Sequence, residues 1–249
     1  MKISGNTIFI PGGTSGIGLG LALRFQAAGN TVIIAGRRTE LLASIAQDHP
    51  GIQTIELDTT DADAVATVSK EVQQRWPETN VLLAMAGIML PEDVHTDAFL
   101  ATAEATVTTN LLGPIRLIAA FTEFLATRPA ATIITVSSGL ASVPLPVTPT
   151  YSATKSAIHA FSEAIRVQLA DTSVQVIELV PPAVQTTLMG QTNEPSAMPL
   201  EEFLSESMSL FESQPDAREI LVERVKFLRN AEIEGRYEQV LEMLSNRSH

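Results

Sequence analysis

The sequence contains no cysteine, which excludes disulfides, thiolate nucleophiles and cysteine-held metal centres. A chain without thiols suits a reducing compartment, and the cytoplasm is the location expected for it. Basic residues are scarce: Lys and Arg total 16 against 28 Asp and Glu, for a net charge of −12. With no basic cluster in so acidic a chain, neither nucleic acid nor an anionic membrane is expected as a partner. No apolar run approaches the roughly 20 residues of a membrane span. The first residues pass through Ser4, Gly5 and Asn6 into a short strand pattern. That is not the apolar core of a leader, so no secretory signal is expected. His49, His95, His159 and His249 are scattered without ligand-like spacing, and no metal is expected.

What the chain does have is alternation. At 249 residues and 45% hydrophobic content it can bury one large core, and residues 1–249 read as a single domain. Short β-branched runs at 7–10, 31–35, 52–57, 81–85, 131–137 and 174–180 predict strands buried on both faces. Helical patterns at 17–28, 41–47, 62–75, 98–125 and 151–169 separate them, with Thr39 and Asp61 as expected N-caps. Strand-helix alternation implies an α/β fold: a doubly wound parallel sheet (Rossmann fold) of six or seven strands, with helices on both faces. No seventh strand is legible. Residues 186–216 break the pattern with Pro195, Pro199 and Pro215 and are expected to form a substrate lid or a surface excursion. Residues 217–249 read as C-terminal helices, at 217–229 and 236–244.

The first strand runs into Pro11-Gly12-Gly13-Thr14-Ser15-Gly16-Ile17-Gly18 and then into a helix. Glycines at a strand-to-helix junction let backbone N–H groups approach a pyrophosphate, and the helix N-terminus adds partial positive charge. There is no Gly-Lys-Ser/Thr ending, which argues against a triphosphate-binding P-loop. Further on, Tyr151 and Lys155 stand four residues apart, on one face of a helix. A phenol beside an ammonium is expected to have a lowered pKa, which suits a general acid and base. Ser138 lies thirteen residues before Tyr151, where its hydroxyl can hold a carbonyl oxygen.

Gly12-x-x-x-Gly16-x-Gly18, then Asn110, Ser138, Tyr151 and Lys155, stand in the order and spacing of the short-chain dehydrogenase/reductase family. The chain resembles that family over residues 7–187. Ser137-Ser-Gly-Leu-Ala, Asp171-Thr-Ser-Val and Pro181-Pro182 resemble its DltE-like branch. The resemblance implies hydride transfer between NADP(H) and a carbonyl or secondary alcohol. Tyr151 would exchange the proton, Lys155 would tune it and hold the ribose, and Ser138 would bind the substrate oxygen. Asn110 would position a water that links Lys155 to solvent. The dinucleotide would lie against Gly12, Thr14, Ser15, Gly16, Ile17, Gly18, Ala86, Gly87, Pro181 and Val184. Thr186 would bond the nicotinamide carboxamide, and Asp58 the adenine, unless Asp58 only shapes a turn. The family's Asn-Asn-Ala-Gly is here Ala84-Met85-Ala86-Gly87, which puts local bracing in doubt. Relatives form homodimers or homotetramers, and the same is expected here.

Gly36 stands where NAD-type members carry Asp, and Arg37 and Arg38 follow it. Guanidinium forks suit a 2′-phosphate, so NADP(H) is expected ahead of NAD(H), unless the arginines are only solvated surface charges. Leu140, Val143, Leu145, Val184, Leu188 and Met189 are expected around the substrate with Ser138, or else to pack the lid. An uncharged lining implies a hydrophobic ketone or aldehyde. Two alternatives remain: a dinucleotide-binding sensor or scaffold without turnover, and dehydration or epimerisation on the same scaffold.

Overall fold

The computed structural model describes residues 1–246; His249 lies outside the described residues. One seven-stranded sheet forms the centre, built from β1 (Thr7–Pro11), β2 (Thr31–Gly36), β3 (Gln53–Glu56), β4 (Thr79–Ala84), β5 (Ala131–Val136), β6 (Val174–Leu179) and β7 (Glu219–Ile220). Every pairing is parallel, in the order β3-β2-β1-β4-β5-β6-β7. The order reverses between β1 and β4. The two chains leaving those strands diverge there and open a crevice at the carboxyl end of the sheet.

The helices are α1 (Gly16–Ala27), α2 (Thr39–Asp48), α3 (Ala62–Arg75), α4 (Phe99–Val107), α5 (Gly113–Ala126), α6 (Pro149–Gln168), α7 (Leu200–Ser213), α8 (Lys226–Arg229) and α9 (Tyr237–Asn246). One face of the sheet packs with α1, α2 and α7, where Phe25 and Phe211 meet edge-on at 5.7 Å. The other packs with α3, α5 and α6, where Phe9 lies 5.4 Å from Phe121. The central strands are apolar at nearly every position because both faces are covered. No helix among the described residues is long and apolar enough to cross a membrane.

Several sequence expectations change. Asp61 caps α3 through the N–H groups of Asp63 and Ala64, as its residue type favours. Thr39 is instead the first helical residue of α2, and the cap position falls to Arg38, which makes no side-chain cap bond. The helix expected over 98–125 is interrupted by a π-helical turn at Thr108–Leu112. The extra residue in that turn gives Asn110 a place in the interior, where it is 1% exposed. The helix expected from 217 opens instead as the seventh strand. Two residues of pairing with Glu178 and Leu179 are too few to leave a periodic trace.

Within 186–216, only the first part is irregular. Residues 188–193 form a kinked 3₁₀ segment in which Met189 adopts φ 54°. Residues 200–213 form α7, whose Phe203, Leu204 and Phe211 are buried against the core. Gly20 permits that packing, since a Cβ there would stand 2.3 Å from Leu204 Cδ1.

Candidate active site

A cleft of about 1260 Å³ runs along the carboxyl ends of β1, β2, β4, β5 and β6. Its floor is the glycine loop. Gly12 has φ 89°, and a Cβ there would lie 2.7 Å from the backbone N and Cα of Ala86. A Cβ on Gly18 would lie 2.4 Å from Gly12 O, and one on Gly16 would lie 3.3 Å from Thr186 Cγ2. The glycines therefore bring three segments of the crevice together. Ser15 precedes α1 in an extended conformation with no side-chain cap bond, and no acidic residue sits in the helix's first turn. The positive end of α1 and a free hydroxyl both face the cleft. This suits the pyrophosphate of a dinucleotide, which no carboxylate in that first turn would repel.

At one end of the cleft, Gly36 lies against Thr14; a Cβ there would come 2.7 Å from Thr14 Cγ2. A carboxylate-bearing side chain has no room unless Thr14 moves. Arg37 and Arg38 are exposed at the cleft edge, and Arg38 Nη2 reaches 3.5 Å from Thr14 Oγ1. Asp58 lines the same end and accepts from Thr60 N–H at 2.9 Å and the Thr60 hydroxyl at 2.8 Å. Burial works to raise its pKa. The Thr60 bonds and the Arg37 charge outweigh burial and hold the carboxyl below its ordinary value.

The opposite end holds Ser138, Tyr151 and Lys155. Ser138 follows β5 and accepts from Leu140 N–H at 3.1 Å. Tyr151 and Lys155 occupy successive turns of α6, whose start is fixed from outside. Pro149 opens the helix, a position that tolerates a missing N–H. Glu92 then accepts from the Thr150 N–H at 3.1 Å and its hydroxyl at 2.6 Å. Lys155 Nζ donates to Val136 O at 2.8 Å and stands 5.5 Å from the centre of the Tyr151 ring.

The electrostatics correct one expectation. The Tyr151 hydroxyl is not made more acidic here. Burial pushes it up to about 12, and the hydrogen bond with Ser138 pulls the other way. Lys155 does not act on the phenol because its ammonium is turned toward the Val136 carbonyl. Lys155 itself is pulled down to about 8 by burial, with the Glu178 carboxylate working against that shift.

Asn110 is not part of the cleft lining. Its Oδ1 accepts from Ile88 N–H at 2.8 Å and its Nδ2 donates to Ile88 O at 2.8 Å. It thus braces the loop after β4, which the missing family amides had put in doubt. Ala86 and Gly87 line the cleft, as do Pro181, Val184 and Thr186. Of the expected substrate residues, Leu140, Leu145, Leu188 and Met189 also line it. Val143 does not. It is fully buried in a separate cluster with Ala231, Val240 and Leu244, because α9 folds back beneath it.

The largest omission from the sequence reading is the C-terminal wall, where Arg224, Phe227, Leu228 and Met243 line the cleft. A Cβ on Gly139 would lie 2.8 Å from Leu228 Cδ1 and 2.9 Å from Val225 Cγ2. That glycine, directly after Ser138, was the one available signal of a close approach.

The family model for short chain dehydrogenases matches residues 6–197. Over the full length of both chains, the protein is 36% identical to an uncharacterized oxidoreductase, DltE, of Bacillus subtilis (strain 168). It is 32% identical to an NADPH-dependent 1-acyldihydroxyacetone phosphate reductase of Schizosaccharomyces pombe, over 71% of this chain and 58% of that one. In fold, it superposes with a TM-score of 0.81 on a short chain dehydrogenase from Burkholderia cenocepacia J2315 in complex with NADP. That match has 24% identity and covers 98% of each chain. With the parallel sheet, the glycine-lined crevice and the Ser138, Tyr151 and Lys155 group meeting in one cleft, these matches place the chain in the short-chain dehydrogenase/reductase family of oxidoreductases, among its DltE-like members.

Proposed function

We propose that the protein is an NADP(H)-dependent reductase of hydrophobic ketones or aldehydes, acting reversibly on the corresponding secondary or primary alcohols. The observation that carries this reading is the single cleft joining Arg37 and Arg38 at one end to Ser138, Tyr151 and Lys155 at the other. When bound, the nicotinamide supplies or accepts the hydride. The glycine loop and Ser15 would hold the pyrophosphate, Arg37 and Arg38 the 2′-phosphate, Asp58 the adenine end and Thr186 the carboxamide.

Ser138 donates a hydrogen bond to the substrate oxygen, and Tyr151 O–H gives its proton to that oxygen as negative charge develops. A phenol with a raised pKa remains fully protonated at neutral pH and is ready as an acid. Lys155 offers its remaining N–H donors to the ribose. Once the alcohol has formed, the Ser138 hydroxyl can turn to the phenolate, whose charged form that hydrogen bond favours. Leu140, Leu145, Leu188, Met189, Phe227 and Leu228 surround the reacting end with apolar surface, which supports a hydrophobic substrate. Residues 186–193 lie over this end and act as its lid. The relative named as NADPH-dependent supports the same cofactor.

Leu100 on α4, Leu112 at the end of the π-helical turn and Val167 on α6 are exposed apolar residues. They support a homo-oligomer built through those helices.

NADPH and NADH consumption followed over a panel of carbonyls tests the reading. Apolar ketones or aldehydes are expected to oxidise NADPH ahead of NADH. Tight NADPH binding without turnover of any carbonyl would instead make the protein a sensor. Replacing both Arg37 and Arg38 by Ala is expected to raise the KM for NADPH by about 10- to 100-fold, the loss of one or two charge-assisted bonds. The KM for NADH should move by less than about threefold; equal losses for both cofactors would take the arginines off the 2′-phosphate. The charged Lys155 is lost as pH rises through about 8. Carbonyl reduction is therefore expected to be flat below that pH and to fall about tenfold per unit above it. A flat profile to pH 10 would remove the requirement for the ammonium.

A further inference from the structure

Behind Lys155 lies a carboxylate that the mechanism above leaves unused. Glu178 sits in the interior of β6, 1% exposed, a position where a charge is costly unless it is compensated. Its register partner on β5 is Thr135, whose hydroxyl meets Ser162 of α6 at 2.7 Å. This side of the sheet therefore faces α6. One residue further along β5, Val136 O accepts the Lys155 ammonium. His159, one turn after Lys155 on α6, brings Nδ1 to 2.8 and 3.1 Å from the two Glu178 oxygens. Lys155 and His159 thus meet the same patch of sheet, one turn apart, with the carboxylate between strand and helix.

The other charged groups are accounted for. Tyr151 and Glu163 lie on α6, with Glu163 Oε2 3.9 Å from His159 Nε2. Glu219 stands on β7 and Arg229 on α8, joined through two bonds at 2.8 and 3.2 Å. His159, Glu178 and Glu219 bring ligand-type atoms within 4.8 Å of one another. A guanidinium already occupies Glu219, so the positive charge of this cluster comes from a side chain.

We propose that Glu178 is a positioning residue of the active site: it is the buried counter-charge that keeps Lys155 an ammonium, and His159 clamps its carboxylate from the solvent side. The inference rests on the reading of Lys155 as the group that must be charged for carbonyl reduction. It explains how an ammonium survives 6% exposed, with one backbone carbonyl as its only protein acceptor among the described hydrogen bonds. Burial alone favours its neutral form, and the nearby carboxylate opposes that.

The test is a ¹³C NMR titration of lysine side chains. The chain has four lysines (Lys2, Lys70, Lys155 and Lys226), and the Lys155 signal is identified by its loss in Lys155→Met. Glu178→Gln is expected to lower the Lys155 midpoint by about one pH unit or more. The alkaline limb of the kcat/KM profile should move with it. Glu178→Thr, a neutral residue suited to a strand interior, carries the same expectation should the amide not be tolerated. Glu178→Asp keeps the charge and is expected to hold the midpoint within about 0.3 unit. An unmoved Lys155 midpoint in the neutral variants, whatever their thermal stability, overturns the proposal and makes Glu178 structural only. If the wild type turns over no carbonyl, the functional reading fails, while the titration still decides the role of Glu178.

Discussion

Tyr151→Phe is expected to lower kcat for carbonyl reduction by about 10²- to 10⁴-fold, the span of a positioned general acid. The substitution removes one oxygen and leaves the ring. Tyr151 is 7% exposed on α6, and Phe fills the same volume, so the fold should be retained. What is lost is the proton that must reach the substrate oxygen while the hydride reaches carbon. Water cannot easily replace it in a pocket walled by Leu140, Leu145 and Leu228. NADPH affinity should stay within about threefold, because the glycine loop, Arg38 and Lys155 remain in place. Stopped-flow turnover beside a fluorescence titration of NADPH separates the two effects. A variant that keeps most of its rate would remove the phenol from the chemistry. A variant that loses cofactor binding in parallel would make its role one of support.

Gly12→Ala should have the second largest effect, on both stability and cofactor affinity. Two costs combine at this position. The backbone φ of 89° is unfavourable for any L side chain, at about 1–2 kcal/mol. The new methyl would also stand 2.7 Å from the Ala86 backbone, and overpacking of that kind costs about 1–3 kcal/mol. Together they predict a fall in melting temperature of roughly 4–20 °C for a chain of this size.

Gly29 provides an internal control. It has the same φ of 89°, but a Cβ there meets nothing within 4 Å. Gly29→Ala should show only the backbone cost and leave NADPH binding unchanged. Gly12→Ala should also weaken NADPH by at least about tenfold, because β1 and the loop after β4 can no longer close on each other beneath the pyrophosphate. Equal melting temperatures and equal NADPH affinities for the two variants would show that close approach at Gly12 plays no part.

Much of the arrangement was legible because it is local. The six long strands announce themselves as β-branched runs, and each lies within two residues of its expected bounds. The glycine loop is recognisable because a strand-to-helix turn against a phosphate imposes steric demands that few residues meet. Tyr151 and Lys155 could be placed on one face by helical spacing alone. β7 was invisible because two residues have no period. α7 was missed because Pro199, which precedes it, reads as a break although it stands at the cap of a regular helix. Val143 was placed in the cleft by its nearness in sequence to Leu140 and Leu145. Only the return of α9 shows that it faces the other way.

The chain's own order of residues determined the fold class, the glycine-lined turn and the Tyr151 and Lys155 group, since each depends on sterics and spacing within a few turns of backbone. Tertiary structure alone decided the acidities of that group and the company it keeps. Whether burial or a neighbouring charge governs Tyr151 depends on where an ammonium points. Glu178 and Lys155, 23 positions apart, become neighbours only when β6 lies beside β5 under α6. Desolvation and long-range pairing are properties of the assembled interior, and no local pattern encodes them.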